Sequence, residues 1–277
     1  MRRTLRGQPC ATPDFHLPTL ALTDATLDYE VSGTRGPLVV QLHGLTSSRA
    51  RDVQLGLDLP RALREHRVLR YDARGHGDST GGTDPASYSW PSLADDLLRL
   101  LEHVAPGEQV HGVGPSMGSA TLLHAALREP TRFASLTLVV PPTAWETRMA
   151  QRATYLVNAD LIEREGIGAF VELGLTAPIV PALADAPRTA PAVSEAVLPA
   201  LLRGAATSDL PPLAELKAIE APTLVLAWTD DPTHPVSTAA LLAEVLPHTR
   251  LVVAQTPYGV MAWPGLFADH VTSNPPA

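Results

Sequence analysis

The 277-residue chain contains one cysteine, Cys10, and one lysine, Lys217. A single thiol excludes an intrachain disulfide framework and a cysteine-rich metal site. A single lysine excludes a glycine-rich phosphate loop ending in lysine. Lys217 lies in Leu213-Ala-Glu-Leu-Lys217, which reads as an exposed helix face rather than a Schiff-base site. Basic residues are also in deficit, 21 against 29 acidic, for a net charge of −8, so no basic footprint for nucleic acid exists and no nucleic-acid partner is expected. Every apolar run falls short of the roughly 20 residues that a membrane helix needs, so no membrane partner is expected either. Met1 to Gly7 carries Arg2, Arg3 and Arg6 without an apolar stretch of signal-peptide length after it, which makes the cytoplasm the expected compartment. What remains is 45% hydrophobic and 18% charged, the composition of a globular chain long enough to bury a full core.

Short apolar runs alternate with helical patterns through the first half, as in a mostly parallel α/β sheet. Strands are expected at 26–31, 37–42, 67–71, 109–113 and 136–140, with helices over 90–104 and 117–128. In the first helix, Leu93, Leu97, Leu98 and Leu101 share one face, with Asp95 and Asp96 near its start. From 141 to 212 the chain is helical and broken by prolines at 178, 181, 187, 191 and 199, with no convincing buried strand. This segment reads as a helical lid inserted between core portions 1–140 and 213–277. The strand pattern resumes over 222–228 and 251–254, with helices at 236–246 and 265–271.

Gly114-Pro-Ser116-Met-Gly118 fits G-x-S-x-G and falls between an expected strand and an expected helix, the setting a nucleophile elbow requires. Small residues on both flanks let the chain turn sharply enough to expose the Ser116 hydroxyl at the mouth of the sheet. His43-Gly44-Leu45-Thr46 follows an earlier strand and can offer the Leu45 N–H to an oxyanion, with the Met117 N–H as second donor. Tyr71-Asp-Ala-Arg-Gly-His-Gly-Asp-Ser79 reads as a structural turn, in which Arg74 and His76 pin the loop rather than react.

Together with Pro222-Thr-Leu-Val-Leu226 and Asp231-Pro232, these motifs stand in an order and spacing that resemble the α/β-hydrolase superfamily. The closer likeness is to its lidded esterases, lactone hydrolases and epoxide or C–C bond hydrolases. The resemblance covers about residues 25 to 270. It implies a mostly parallel central sheet flanked by helices, with a helical lid after the sixth strand and no cofactor or metal. It also implies Ser116 as nucleophile and Asp231, next to its competitor Asp230, as the triad acid.

One element departs from the family pattern. The loop after the last strand, where such enzymes commonly carry Gly-His, reads Gln255-Thr-Pro-Tyr-Gly-Val-Met-Ala-Trp263, and Val260 stands where the histidine is expected. Valine cannot transfer a proton, and a free serine hydroxyl is a negligible nucleophile without a base. Of the ten histidines, His16 precedes the core. His66, His103, His111, His124, His248 and His270 are expected away from the strand tips or packed. His43 shapes the oxyanion loop. His234, in Asp231-Pro-Thr-His-Pro235, shares the acid's loop at the carboxyl edge of the sheet, within reach of Ser116 after a modest rearrangement.

Pro115, where relatives often carry histidine, makes the site more apolar. Pocket walls are expected from His43, Gly44 and Val260 and from the insertion's Trp145 and Tyr155, with Met149, Leu156 and Phe170 as further candidates. These point to a small apolar ester, lactone or related carbonyl substrate. Two alternatives stay open on the absence of the loop histidine: a cyclase, lyase or isomerase working by positioning, and a ligand-binding pseudoenzyme.

Overall fold

Runs such as Leu38-Val-Val-Gln41 and Thr223-Leu-Val-Leu-Ala-Trp228 carry no polar alternation, which suits strands covered on both faces. In the computed structural model, which describes residues 17–54 and 59–277, they occupy interior positions of an eight-stranded sheet. The Met1–Gly7 segment, Cys10 and His16 lie outside the described residues. In chain order the strands are β1 (Thr19–Ala21), β2 (Thr26–Ser32), β3 (Leu38–Gln41), β4 (Arg67–Tyr71), β5 (Val110–Pro115), β6 (Phe133–Val139), β7 (Thr223–Trp228) and β8 (Thr249–Ala254). Their spatial order is β1-β2-β4-β3-β5-β6-β7-β8. β1 and β2 pair antiparallel with their neighbours and the rest run parallel. β1 was not anticipated: three residues at an exposed edge carry too little pattern to read.

The order reverses at β3, which hydrogen-bonds β4 on one side and β5 on the other. Loops leaving the carboxyl ends of β3 and β5 therefore diverge over a crevice, where open α/β sheets bind ligands. The helices used below are α1 (Arg49–Gln54), α2 (Trp90–Val104), α3 (Met117–Arg128), α4 (Arg148–Glu165), α5 (Ile167–Thr176), α6 (Leu198–Thr207), α7 (Val236–Val245), α8 (Pro257–Met261) and α9 (Trp263–Ser273). Ser89 caps α2 by accepting from the Ser92 N–H, and its buried face carries Trp90, Leu93, Leu97 and Leu101 against the main core. Asp96 sits on that buried face and takes a bidentate pair from Arg74 at 2.9 Å, so Arg74 does pin the 71–79 loop.

The segment between β6 and β7 is a helical insertion built on α4 packed against α6. Its return strand is sewn to the sheet's carboxyl edge: the Gly77 N–H donates to Ala192 O and the Ala192 N–H to Thr46 O, both at 2.8 Å. Among the described residues no helix is long and apolar enough to cross a membrane.

Candidate active site

Ser116 sits at the junction of β5 and α3 with φ 51° and ψ −110°, a conformation that costs a non-glycine residue of order 1–3 kcal/mol. Hydrogen bonds impose it. The Ser116 N–H donates to Val139 O at 2.9 Å, and the Ser119 hydroxyl donates to Gly114 O at 2.6 Å. The flanking glycines are steric necessities. A Cβ on Gly114 would lie 2.6 Å from the Gly118 carbonyl carbon, and one on Gly118 would lie 2.9 Å from Leu42 Cβ. Met117 buries its side chain in the main core, leaving its N–H at the first turn of α3.

The loop after β3 passes directly over this turn: a Cβ on Gly44 would stand 3.7 Å from Ser116 Cβ. Among the described residues, neither the Leu45 nor the Met117 N–H donates to a protein acceptor. His43 does not line the pocket, contrary to expectation. Its ring is buried, Nε2 accepting from the Ala73 N–H at 2.9 Å and Nδ1 lying 2.8 Å from Gly44 O. The Nδ1–H therefore donates to that carbonyl. Because C=O and N–H of a trans peptide point in opposite directions, anchoring Gly44 O aims the Leu45 N–H the other way. Burial lowers the His43 pKa to about 4, so the ring stays neutral and keeps this tautomer.

β7 lies two strands from β5, roughly 10 Å away, and its loop must lean across the end of β6 to reach Ser116. It does so without rearrangement. Asp231 Oδ1 accepts from the Thr233 N–H at 2.9 Å, curling the chain into an Asx turn between Pro232 and Pro235. His234 is thereby placed with Nδ1 2.7 Å from Asp231 Oδ2 and Nε2 2.8 Å from Ser116 Oγ. The carboxylate accepts from Nδ1–H, which leaves Nε2 as the acceptor for the serine hydroxyl.

Burial would raise the Asp231 pKa. Hydrogen bonds from His234, from the Thr233 hydroxyl at 2.6 Å and from Trp228 Nε1 at 2.7 Å outweigh it and hold the carboxyl well below the usual range. Asp230 faces solvent with φ 61°, so of the two adjacent acids only Asp231 meets the imidazole. Trp228 and Thr233 were missed in the sequence, although a threonine two residues after the acid is the spacing of an Asx turn.

Four further histidines are engaged elsewhere. His270 Nε2 donates to Leu136 O and Pro222 O, in the middle of β6 and just before β7, away from the carboxyl ends of the strands. His111 meets Ser135 Oγ at 2.8 Å, His124 meets Asp209 O at 2.9 Å, and His76 packs against the His43 ring.

Ser116, His234 and Asp231 open into a cavity of about 240 Å³. Gly44, Leu45 and Val260 line it. Trp145 and Tyr155 do not: the Trp145 indole donates to Pro211 O at 3.1 Å beside the main core, and Tyr155 packs in the insertion beneath the Arg148 guanidinium. Met149 is 78% exposed and Leu156 lies at the surface, because the outward face of α4 carries both. The aromatic wall comes instead from Trp228 and Trp263, stacked at 5.7 Å. The insertion's contribution is Leu183.

A hydroxyl, an imidazole and a buried carboxylate in series, beside two unpaired N–H groups, form a set able to attack a carbonyl carbon and hold the resulting oxyanion. A family described as the alpha/beta hydrolase fold matches residues 37–159. The protein named "Putative carbamate hydrolase RutD" of Variovorax paradoxus (strain S110) is 34% identical over 238 residues, covering 81% of this chain and 86% of that protein. A hydrolase from Pseudomonas aeruginosa PA01 superposes with a TM-score of 0.77 at 27% identity, covering 94% of this chain and 98% of that one. The enol-lactonase from Burkholderia xenovorans LB400 shares the fold with a TM-score of 0.76 at 23% identity, covering 92% and 100%. On its sheet order, its strand-to-helix serine turn and these relatives, the chain belongs to the α/β-hydrolase fold superfamily.

Proposed function

We propose that this protein is a serine hydrolase acting on a small ester, lactone or related carbonyl compound with an apolar portion. The observation that carries the reading is the unbroken hydrogen-bond series Ser116 Oγ, His234, Asp231. Ser116 Oγ attacks the carbonyl carbon while its proton passes to His234 Nε2, and Asp231 stabilises the imidazolium. The Leu45 and Met117 amides hold the oxyanion. Collapse expels the leaving group, which takes its proton from His234, and water releases the acyl enzyme by the same steps in reverse. No step calls for a metal or organic cofactor. The carbamate in the relative's name falls within this class, since its hydrolysis also begins at a carbonyl carbon.

Val260 at the usual histidine position motivated the lyase, cyclase and pseudoenzyme alternatives. His234 supplies a base from another loop, and no other observation favours them. Leu183 over the pocket supports reading 141–212 as a lid between core portions 1–140 and 213–277. The test is intact-mass analysis after exposure to a fluorophosphonate probe. Wild type should gain one adduct, and Ser116→Ala and His234→Ala should not. An unlabelled wild type, with a control hydrolase labelled in parallel, would overturn the reading.

A further inference from the structure

The pocket has two unlike ends. Val139, Val140, Trp228, Val260 and Trp263 wall one side; Thr46, Ser47, Arg51 and Asp52 wall the other. Arg51, on α1, also lines a second cavity of about 340 Å³ formed with Phe170, Arg188 and Ala190. Arg51 thus lines both the pocket at Ser116 and a neighbouring chamber.

Other buried arginines have counter-ions or several acceptors, although Arg70, paired with Glu30, and Arg132, near Glu102 and Glu129, also leave N–H groups without an acceptor. Arg49 meets Asp28, Asp72 and Asp78, and Arg148 bonds Thr143, Ala205 and Ser208. Arg51 is half-buried, yet among the described residues no carboxylate lies within salt-bridge distance of it. Its Nε–H is sealed from solvent without an acceptor, and its one hydrogen bond is Nη1–H to Ala190 O at 3.4 Å. The adjacent Asp52 carboxyl is turned toward Gln41 Nε2 and the Ser47 hydroxyl, both at 3.4 Å. Burial also pushes the Asp52 pKa up to about 7, so near neutrality it cancels only part of the arginine's charge.

A partly desolvated guanidinium with no carboxylate partner among the described residues, beside the pocket that holds Ser116, is a fork suited to a planar anion. We propose that Arg51 binds a carboxylate carried by the substrate, so that the preferred ester or lactone bears an apolar arm on the Trp228 side and a carboxylate-terminated arm on the α1 side. One cation in a small, largely apolar pocket suits a monoanionic carboxylate better than a phosphate dianion. The inference rests on the hydrolase reading for its turnover arm, but not for its binding arm.

The turnover arm compares mono-p-nitrophenyl glutarate with its neutral methyl ester. Wild type should favour the half-ester, and Arg51→Met should reduce that preference about 10- to 100-fold, chiefly through KM. Arg51→Lys should keep part of it. The binding arm titrates glutarate, glutaramide and inorganic phosphate into Ser116→Ala by calorimetry, with and without Arg51→Met. Glutarate should bind most tightly and lose that advantage with the arginine. An unchanged preference and unchanged glutarate binding in Arg51→Met overturn the inference while leaving the hydrolase reading intact. Arginine-dependent glutarate binding with no ester hydrolysed by wild type does the reverse. Phosphate binding more tightly than glutarate overturns the choice of carboxylate.

Discussion

His234 Nε2 stands 2.8 Å from Ser116 Oγ across 118 residues of chain, while its other ring nitrogen meets Asp231 only three residues away. Asp231 and His234 thus share one Asx turn, and the loop after β8 contributes Val260 as an apolar wall.

Loss of the hydroxyl or the imidazole should each lower kcat by at least about 10³-fold, and the double variant should be little worse than either single one, because the two act as a unit. Asp231→Asn should cost about 10²- to 10⁴-fold by favouring the wrong tautomer. Steady-state kinetics on a p-nitrophenyl ester series checks this. A Val260→Ala enzyme as impaired as His234→Ala would contradict the assignment.

His43→Leu removes the donor that fixes Gly44 O and hence the direction of the Leu45 N–H. Turnover should fall roughly 10- to 100-fold with KM little changed, since an oxyanion contact is made in the transition state. Fluorophosphonate labelling should slow but persist, because Ser116 and His234 remain in place. A rise in KM at constant kcat would contradict this role.

Three glycines of the site should respond differently to alanine. At Gly114 and Gly118 the added methyl meets backbone or β-carbon within 3.0 Å, so thermal unfolding should show a loss of about 1–3 kcal/mol. At Gly44 the nearest atom is Ser116 Cβ at 3.7 Å, so Gly44→Ala should keep wild-type stability while slowing turnover by crowding the nucleophile.

Asp52 supplies a pH signature. Burial raises its pKa to about 7, against hydrogen bonds from Gln41 and Ser47 and the charges of Arg51 and Arg70. A raised carboxyl binds more protons folded than unfolded, so its penalty on the fold is absent below about pH 4 and grows as pH climbs toward 7. Asp52→Asn should therefore be more stable than wild type at pH 8, by roughly 1–4 kcal/mol, and equal to it near pH 4. Urea titrations at the two pH values decide it; an equal gain at both would show that charge is not the cause.

Much of the fold was legible because its signals are local. Unbroken apolar runs, the leucine spacing of α2 and the glycines around Ser116 each declare strand, helix or turn within a few residues. Trp145 and Tyr155 misled for the converse reason. An aromatic residue in an insertion says only that it will be buried, and α4 buried these two against the core and α6 rather than toward the serine.

Local pattern in the chain sets the alternation of strands and helices, the sharp turn that must carry Ser116, and the lack of a histidine in the 255–263 loop after β8. Only the tertiary structure decided that His234 completes the series. That contact depends on β7 lying two strands from β5 and on how far an Asx turn between two prolines leans across β6. The same holds for Arg51, whose guanidinium meets Ala190 O, 139 residues away, because a partner brought from a distant segment is a property of packing and leaves no local pattern in the chain.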